Sequence, residues 1–247
     1  MKVHFLFESE QESAEREAVM DCELYRGVSE PIDTPEMIKI PIRQDRRPRT
    51  SFLSCQIIFN AFFEMAFGDK DVRTRAMFCS NVRLDASAYT SLGSDRGGHV
   101  LSVYPLKTSK AAYIPNKRDS LDFIEGIGFQ FIRALKALFS NDDNMDRIGA
   151  VSRQSHAITN GESTNCLEQV NAVISTIEGL CKTDDERNAL KAAIQNGIEE
   201  IKQYKVIPAS QLASASSTGE AEFMVYDAPY FYGIINTNNF DEDGIPY

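Results

Sequence analysis

Glu220 and Glu222 bracket Ala221 at the mouth of an apolar, β-prone run, Phe223-Met224-Val225-Tyr226. In an extended segment, residues two apart share a face, so these carboxylates can address one ligand together. One such carboxylate can hold a sugar hydroxyl or steady a developing cation, while its neighbour places an incoming nucleophile. The alternative is a turn residue and a strand-edge residue, both solvated, since Glu-x-Glu also arises in any acidic chain. A second chemical signal is Cys22-Glu23-Leu24-Tyr25-Arg26-Gly27, a short strand pattern closed by glycine and carrying one arginine. A guanidinium so placed clamps a phosphate or a carboxylate through its planar fork. A third is Arg75-Ala76-Met77-Phe78-Cys79-Ser80-Asn81, a strand pattern ending in serine, followed by the short helix Leu84 to Tyr89 and the strand pattern Gly97 to Leu106.

The elements that must carry these groups follow from period and punctuation. Lys2 to Phe7 has strand character, and Glu10 to Val19 is charged and helical in pattern. Pro31, Pro35, Pro41 and Pro48 make 29–48 a loop without a helix of its own. Phe52 to Phe67 then reads as an amphipathic helix with a capping hydroxyl at Thr50 or Ser51 and a glycine stop at Gly68. Its entrance, Arg46-Arg47-Pro48-Arg49-Thr50-Ser51, suits a pyrophosphate, because unpaired helix N–H groups lie beside cationic side chains. A solvated basic loop with an ordinary cap fits the same residues. A loop is expected over 109–118, a second amphipathic helix over 121–139, and a mobile connection over 140–162. Apolar residues at helical spacing over 166–181 and 184–204 predict an αα-hairpin whose stripes belong to a core. A flexible Ala/Ser-rich loop, 209–218, leads to the Glu-x-Glu strand, and Asp227-Ala228-Pro229 turns it into a hairpin with Tyr230 to Ile235.

Composition narrows the classes. The chain has 247 residues, 43% hydrophobic and 25% charged, which suits a single globular domain with a core that needs no disulfide staple. Its net charge of −10 argues against a broad phosphate-neutralising surface, although Arg43, Arg46, Arg47 and Arg49 form a local basic patch. The five cysteines, Cys22, Cys55, Cys79, Cys166 and Cys181, have no Cys-x-x-Cys spacing and suit reduced, buried thiols of an intracellular protein. The three histidines, His4, His99 and His156, form no zinc pattern, and no metal is expected. No signal peptide and no membrane span are expected, because no apolar run approaches about 18 residues.

An Arg on one strand, a Ser on the next with an Ala-x-x-Tyr helix after it, and Glu-x-Glu on a late strand is an order that resembles the mono-ADP-ribosyltransferase superfamily in its Arg-Ser-Glu branch. The stretch from Arg46-Arg47-Pro48-Arg49-Thr50-Ser51 to Asp122-Phe123 is similar to the small ADP-ribosyltransferase-like proteins carried by tailed bacteriophages. The resemblance covers Leu24 to Asp122 and Glu220 to Ile235. The family's Ser-Thr-Ser pattern stands here as Cys79-Ser80-Asn81, with one serine. A second branch uses His-Tyr-Glu, and Tyr89 could play its Tyr, but no histidine occupies the Arg26 position.

The resemblance implies an α+β fold with a split β-sheet core, flanking helices and an αα-hairpin inserted at about 163–204 of a single domain, 1–247. It implies NAD as co-substrate and transfer of ADP-ribose to a host macromolecule, a protein in preference to a nucleic acid. Glu222 would stabilise the oxocarbenium-like state, and Glu220 would orient or deprotonate the acceptor, commonly an arginine. Arg26 would hold the donor's phosphates, with Arg49 and Thr50 at the helix entrance assisting. Ser80 would position the nicotinamide ribose or Glu222. Tyr89 or Phe78 would stack on nicotinamide, or else pack in the core. The expected location is the host cytoplasm or the virion. The rival reading is a catalytically degenerate transferase-like phage protein, serving as a virion component or as an inhibitor that binds a host protein.

Overall fold

The computed structural model describes residues 4–5, 16–29, 32, 36–44, 52–90, 98–140, 145–162 and 164–236. The chain is α+β and divides into two compact units. The first comprises Met1–Ile42, Met77–Arg118 and Lys205–Tyr247, and the second Arg43–Ala76 and Asp119–Tyr204. The sequence reading expects one domain with a helical insertion at 163–204. The helical unit is larger than that insertion and draws on two separate stretches of chain.

All described strands lie in the first unit: β1 His4–Phe5, β2 Tyr25–Val28, β3 Ile38–Pro41, β4 Met77–Ser80, β5 His99–Pro105, β6 Lys110–Tyr113, β7 Lys205–Pro208, β8 Glu222–Tyr226 and β9 Tyr230–Ile235. They join in one antiparallel sheet ordered β1-β3-β9-β5-β2-β4-β8-β6-β7. Alternation places Leu101 and Val103, Met77 and Cys79, and Phe223 and Val225 in one buried cluster, while Ser102, Ser80 and Glu222 point the other way. The sheet has a seam. Its two halves, β1-β3-β9-β5-β2 and β4-β8-β6-β7, meet through the single residue pair Tyr25↔Ser80.

Three strand expectations are corrected. The expected loop at 29–48 contains β3, whose Ile38–Pro41 pairs with β1 and β9. β8 and β9 do not form a hairpin: β8 pairs with β4 and β6, and β9 pairs with β3 and β5. Asp227, at φ 60, turns the chain out of β8, and β9 runs on the far side of β5, β2 and β4. The expected loop at 109–118 contains β6, whose Lys-Ala-Ala-Tyr sequence has little strand propensity of its own. Its conformation comes from ladders on both sides, to β7 and β8.

Short helices flank the strands of this unit. α3, Arg83–Ser87, follows β4, and α8, Leu212–Ser216, replaces the expected flexible loop at 209–218. Leu212, Ala215 and Ser216 are buried, which holds this Ala/Ser-rich segment in a helical turn.

The second unit contains α1 Leu53–Phe67, α2 Val72–Arg75, α4 Leu121–Ala137, α5 Met145–Thr159, α6 Cys166–Leu180 and α7 Asp184–Ile201. α1 ends at Gly68 with φ 78, as the glycine stop predicts. It is not amphipathic, however: Ser54 to Phe63 are all buried. The polar residues that suggest a wet face are paired inside the unit. Gln56 and Asn60 donate to Thr74 Oγ1 at 3.1 and 2.9 Å, and the Arg73 N–H donates to Asn60 Oδ1 at 2.8 Å. α5 occupies much of the expected mobile connection at 140–162. Its buried positions are Arg147, Val151, Ser155 and Ile158, so polar residues stand where a hydrophobic stripe would betray the period. α6 and α7 match the expected helical pair, and α7 begins with a capping box between Thr183 and Glu186. No helix among the described residues is long and apolar enough to cross a membrane.

Candidate functional site

Sheet register brings together residues far apart in sequence. Ser102 lies opposite Tyr25, Tyr25 opposite Ser80, and Ser80 opposite Glu222. Directly opposed residues of neighbouring antiparallel strands point to one face, so four polar side chains form a row across β5, β2, β4 and β8, crossing the seam. Two sequence-selected residues, Ser80 and Glu222, are therefore immediate neighbours. Arg26 is next in the chain to Tyr25 and alternates to the opposite face, in register with Leu101. There its Nη1 donates to the Phe78 carbonyl at 2.6 Å, beyond the last paired residues of β2 and β4. A side chain thus supplies a donor to a strand carbonyl at the split.

α3 borders the row. The glycine of Tyr-Arg-Gly permits this approach, because a Cβ at Gly27 would stand 2.0 Å from the Ala86 carbonyl oxygen and 2.9 Å from the Tyr89 Cβ. Tyr89 is exposed beside β2. Phe78 is half-buried on β4. The Arg83 guanidinium opposes the burial and the nearby Glu23 charge that push the Tyr25 phenol above its ordinary value. Arg83 also donates to the Asn236 carbonyl at 3.4 Å, and Asn236 donates to Ser102 Oγ at 2.9 Å.

At the other end of the row, Ser80 is buried. Its hydroxyl accepts from the Val82 N–H at 3.0 Å and donates to Asp85 Oδ2 at 3.4 Å. Asp85 also takes a fork from Arg118, with Nε to Oδ2 at 3.0 Å and Nη2 to Oδ1 at 2.5 Å. Arg118 Nη1 reaches Glu220 Oε2 at 3.4 Å. Asp85 holds the Arg118 guanidinium firmly in its charged form, and Glu220 adds to the effect.

The loop that carries Glu220 is fixed by Asn81. The Asn81 amide donates to the carbonyls of Ser216, at 2.6 Å, and Gly219, at 2.5 Å, while its oxygen accepts from the Ala221 N–H at 2.8 Å. The Glu222 N–H donates to the Lys117 carbonyl at 2.9 Å. Glu220 thus precedes the strand with its carboxylate exposed, whereas Glu222 is the first, half-buried residue of β8. The Cys79 thiol, behind the row, is pushed far up by burial, with Arg26 pulling the other way.

Asp85, Arg118, Asn81, Tyr25 and Ser102 are the participants that sequence reasoning missed. Asp85 was legible as an acid in the first turn of the helix after Ser80, but Arg118 lies in a stretch with no spacing signal. Arg49 and Thr50 lie outside the described residues. Among the described residues no group of three or more His, Cys, Asp and Glu side chains is placed to hold a metal ion. The arrangement offers two carboxylates of unlike exposure, a hydroxyl, an exposed aromatic ring and fixed guanidinium charge, a set suited to a hydroxylated, partly anionic ligand. The chain matches no protein-family model, no curated protein and no solved structure.

Proposed function

We propose that the protein transfers ADP-ribose from NAD to a macromolecule, most favourably a host protein. The observation that carries this reading is the register of Ser80 on β4 directly opposite Glu222 on β8, with β4 in turn beside β2, the strand that bears Arg26. An Arg-Ser-Glu assignment needs its three residues on neighbouring strands, although they lie some fifty and some two hundred positions apart along this chain. The seam at Tyr25↔Ser80 also supports the split-sheet form of the α+β fold that the assignment expects.

Glu222, half-buried beside a hydroxyl, is the carboxylate that steadies positive charge as the nicotinamide glycosidic bond breaks. Ser80 keeps it and the ribose in place. Tyr89 supplies an exposed ring for the nicotinamide. Arg26, whose side chain lies on the opposite face with Nη1 on the Phe78 carbonyl, acts by holding the seam that carries Ser80 and not, as the resemblance implies, by touching the donor's phosphates. Glu220, exposed and outside the strand, meets the acceptor. Nicotinamide leaves with the bonding electrons, the acceptor nucleophile bonds to the ribose carbon, and Glu220 takes the acceptor's proton.

The test is to measure nicotinamide release and macromolecule labelling in parallel, using labelled NAD and a bacterial lysate. Glu222→Gln keeps shape and removes charge, so it should lower both by about a hundredfold. Glu220→Gln should lower labelling more than release. If the wild type releases no nicotinamide with any lysate fraction present, the enzyme reading fails and a host-protein-binding role replaces it.

A further inference from the structure

Arg118 sits where the two proposed carboxylate roles must be kept apart. Its fork is spent on Asp85, whose Oδ2 also receives the Ser80 hydroxyl, and only Nη1 extends to Glu220. The result is a continuous polar chain, Ser80 to Asp85 to Arg118 to Glu220, running from the hydroxyl opposite Glu222 to the exposed acceptor-side carboxylate. A lone surface ion pair holds a flexible glutamate poorly. An arginine immobilised by a bidentate partner loses less freedom when it makes a further contact.

We propose that Arg118 is a positioning residue: oriented by Asp85, it sets the place of the Glu220 carboxylate relative to Ser80 and Glu222, and so governs whether ADP-ribose goes to an acceptor or to water. The inference rests on the transferase reading above. Asp85 is the second member of the device, since without its fork Arg118 cannot hold a fixed direction.

The experiment follows the ratio of transferred to hydrolysed ADP-ribose, using labelled NAD and agmatine as a soluble guanidine acceptor. The wild type is compared with Arg118→Ala, Arg118→Lys, Glu220→Gln and the Arg118→Ala/Glu220→Gln double variant. Arg118→Ala should lower the ratio about fivefold, the scale of one well-held ion pair, and Lys should restore only part of it. In the Glu220→Gln background, removing Arg118 should change nothing further, because its effect passes through that carboxylate. Independent, additive losses in the double variant would overturn the proposal. So would an Arg118→Ala loss that appears as a raised KM for NAD with the ratio unchanged. A wild type that releases no nicotinamide overturns the transferase reading and this inference with it, an outcome separable from the other two.

Discussion

Each unit of the molecule contains a polar cluster, and the two are built on opposite terms. In the helical unit, Gln56, Asn60 and Thr74 are fully buried and bonded to one another, and Asp71 accepts the N–H groups of Asn165 and Cys166 at 2.8 and 3.0 Å to cap the start of α6. In the strand unit, Ser80, Asp85, Arg118 and Glu220 are linked through ions, and Arg118 and Glu220 are exposed. The first cluster is mostly neutral and dry, so each missing partner strands a buried group at the full desolvation cost. Its function is to hold α1, α2 and α6 together. The second is charged and wet, so each link is weak for stability yet open to a ligand. Burial separates a staple from a site more clearly than polarity does.

The largest expected effect lies in the first cluster. Asn60→Leu removes three side-chain hydrogen bonds and strands the Arg73 N–H, and urea titration should show a loss of about 3 kcal/mol. Asp85→Asn in the second cluster should cost less than about 1 kcal/mol in the same titration, because its partner is nearly half exposed. Equal losses would erase the distinction between the clusters.

Arg26 tests the seam between the sheet halves. NAD should raise the melting temperature of the wild type by mass action, and Arg26→Ala should remove most of that rise by loosening the seam that carries Ser80, with Lys restoring part of it. A full NAD-induced rise in the Ala variant would show that the bond from Arg26 to the Phe78 carbonyl does not govern the donor site.

The smallest effect at neutral pH concerns the thiols, which are buried and not joined in disulfides in both units. Burial pushes Cys22 up to about 12 and Cys55 up to about 11. The unfolded chain therefore loses these protons first, and stability is undiminished below about pH 8.5 and falls as pH rises from there through the folded values. Urea midpoints measured between pH 7 and pH 10 should decline only at the alkaline end. A midpoint that rises there would contradict protonated, buried thiols.

Local pattern made much of this legible. The repeats of Val170, Val173 and Ile177 place α6, and Thr183 with Glu186 starts α7, because a helix satisfies its backbone within its own sequence. Arg26, Ser80 and Glu222 could each be assigned to a strand from alternation and glycine punctuation. Their neighbours could not be read in the same way. A strand's partners are set by which edge is left unpaired in the folded sheet, so β8 and β9, joined by a short turn, separate across three other strands. β6 and α5 were hidden because ladders and buried polar residues hold them, without a hydrophobic period of their own. Arg118 and Asp85 carry no mutual signal across the thirty-odd residues between them. The chemical character of the site, carboxylates with a hydroxyl and an arginine, was determined by the sequence. Tertiary structure alone decided that Ser80 faces Glu222, that Arg26 turns to the opposite face and that Arg118 reaches Glu220, because pleat and register are properties of paired strands and not of any one strand.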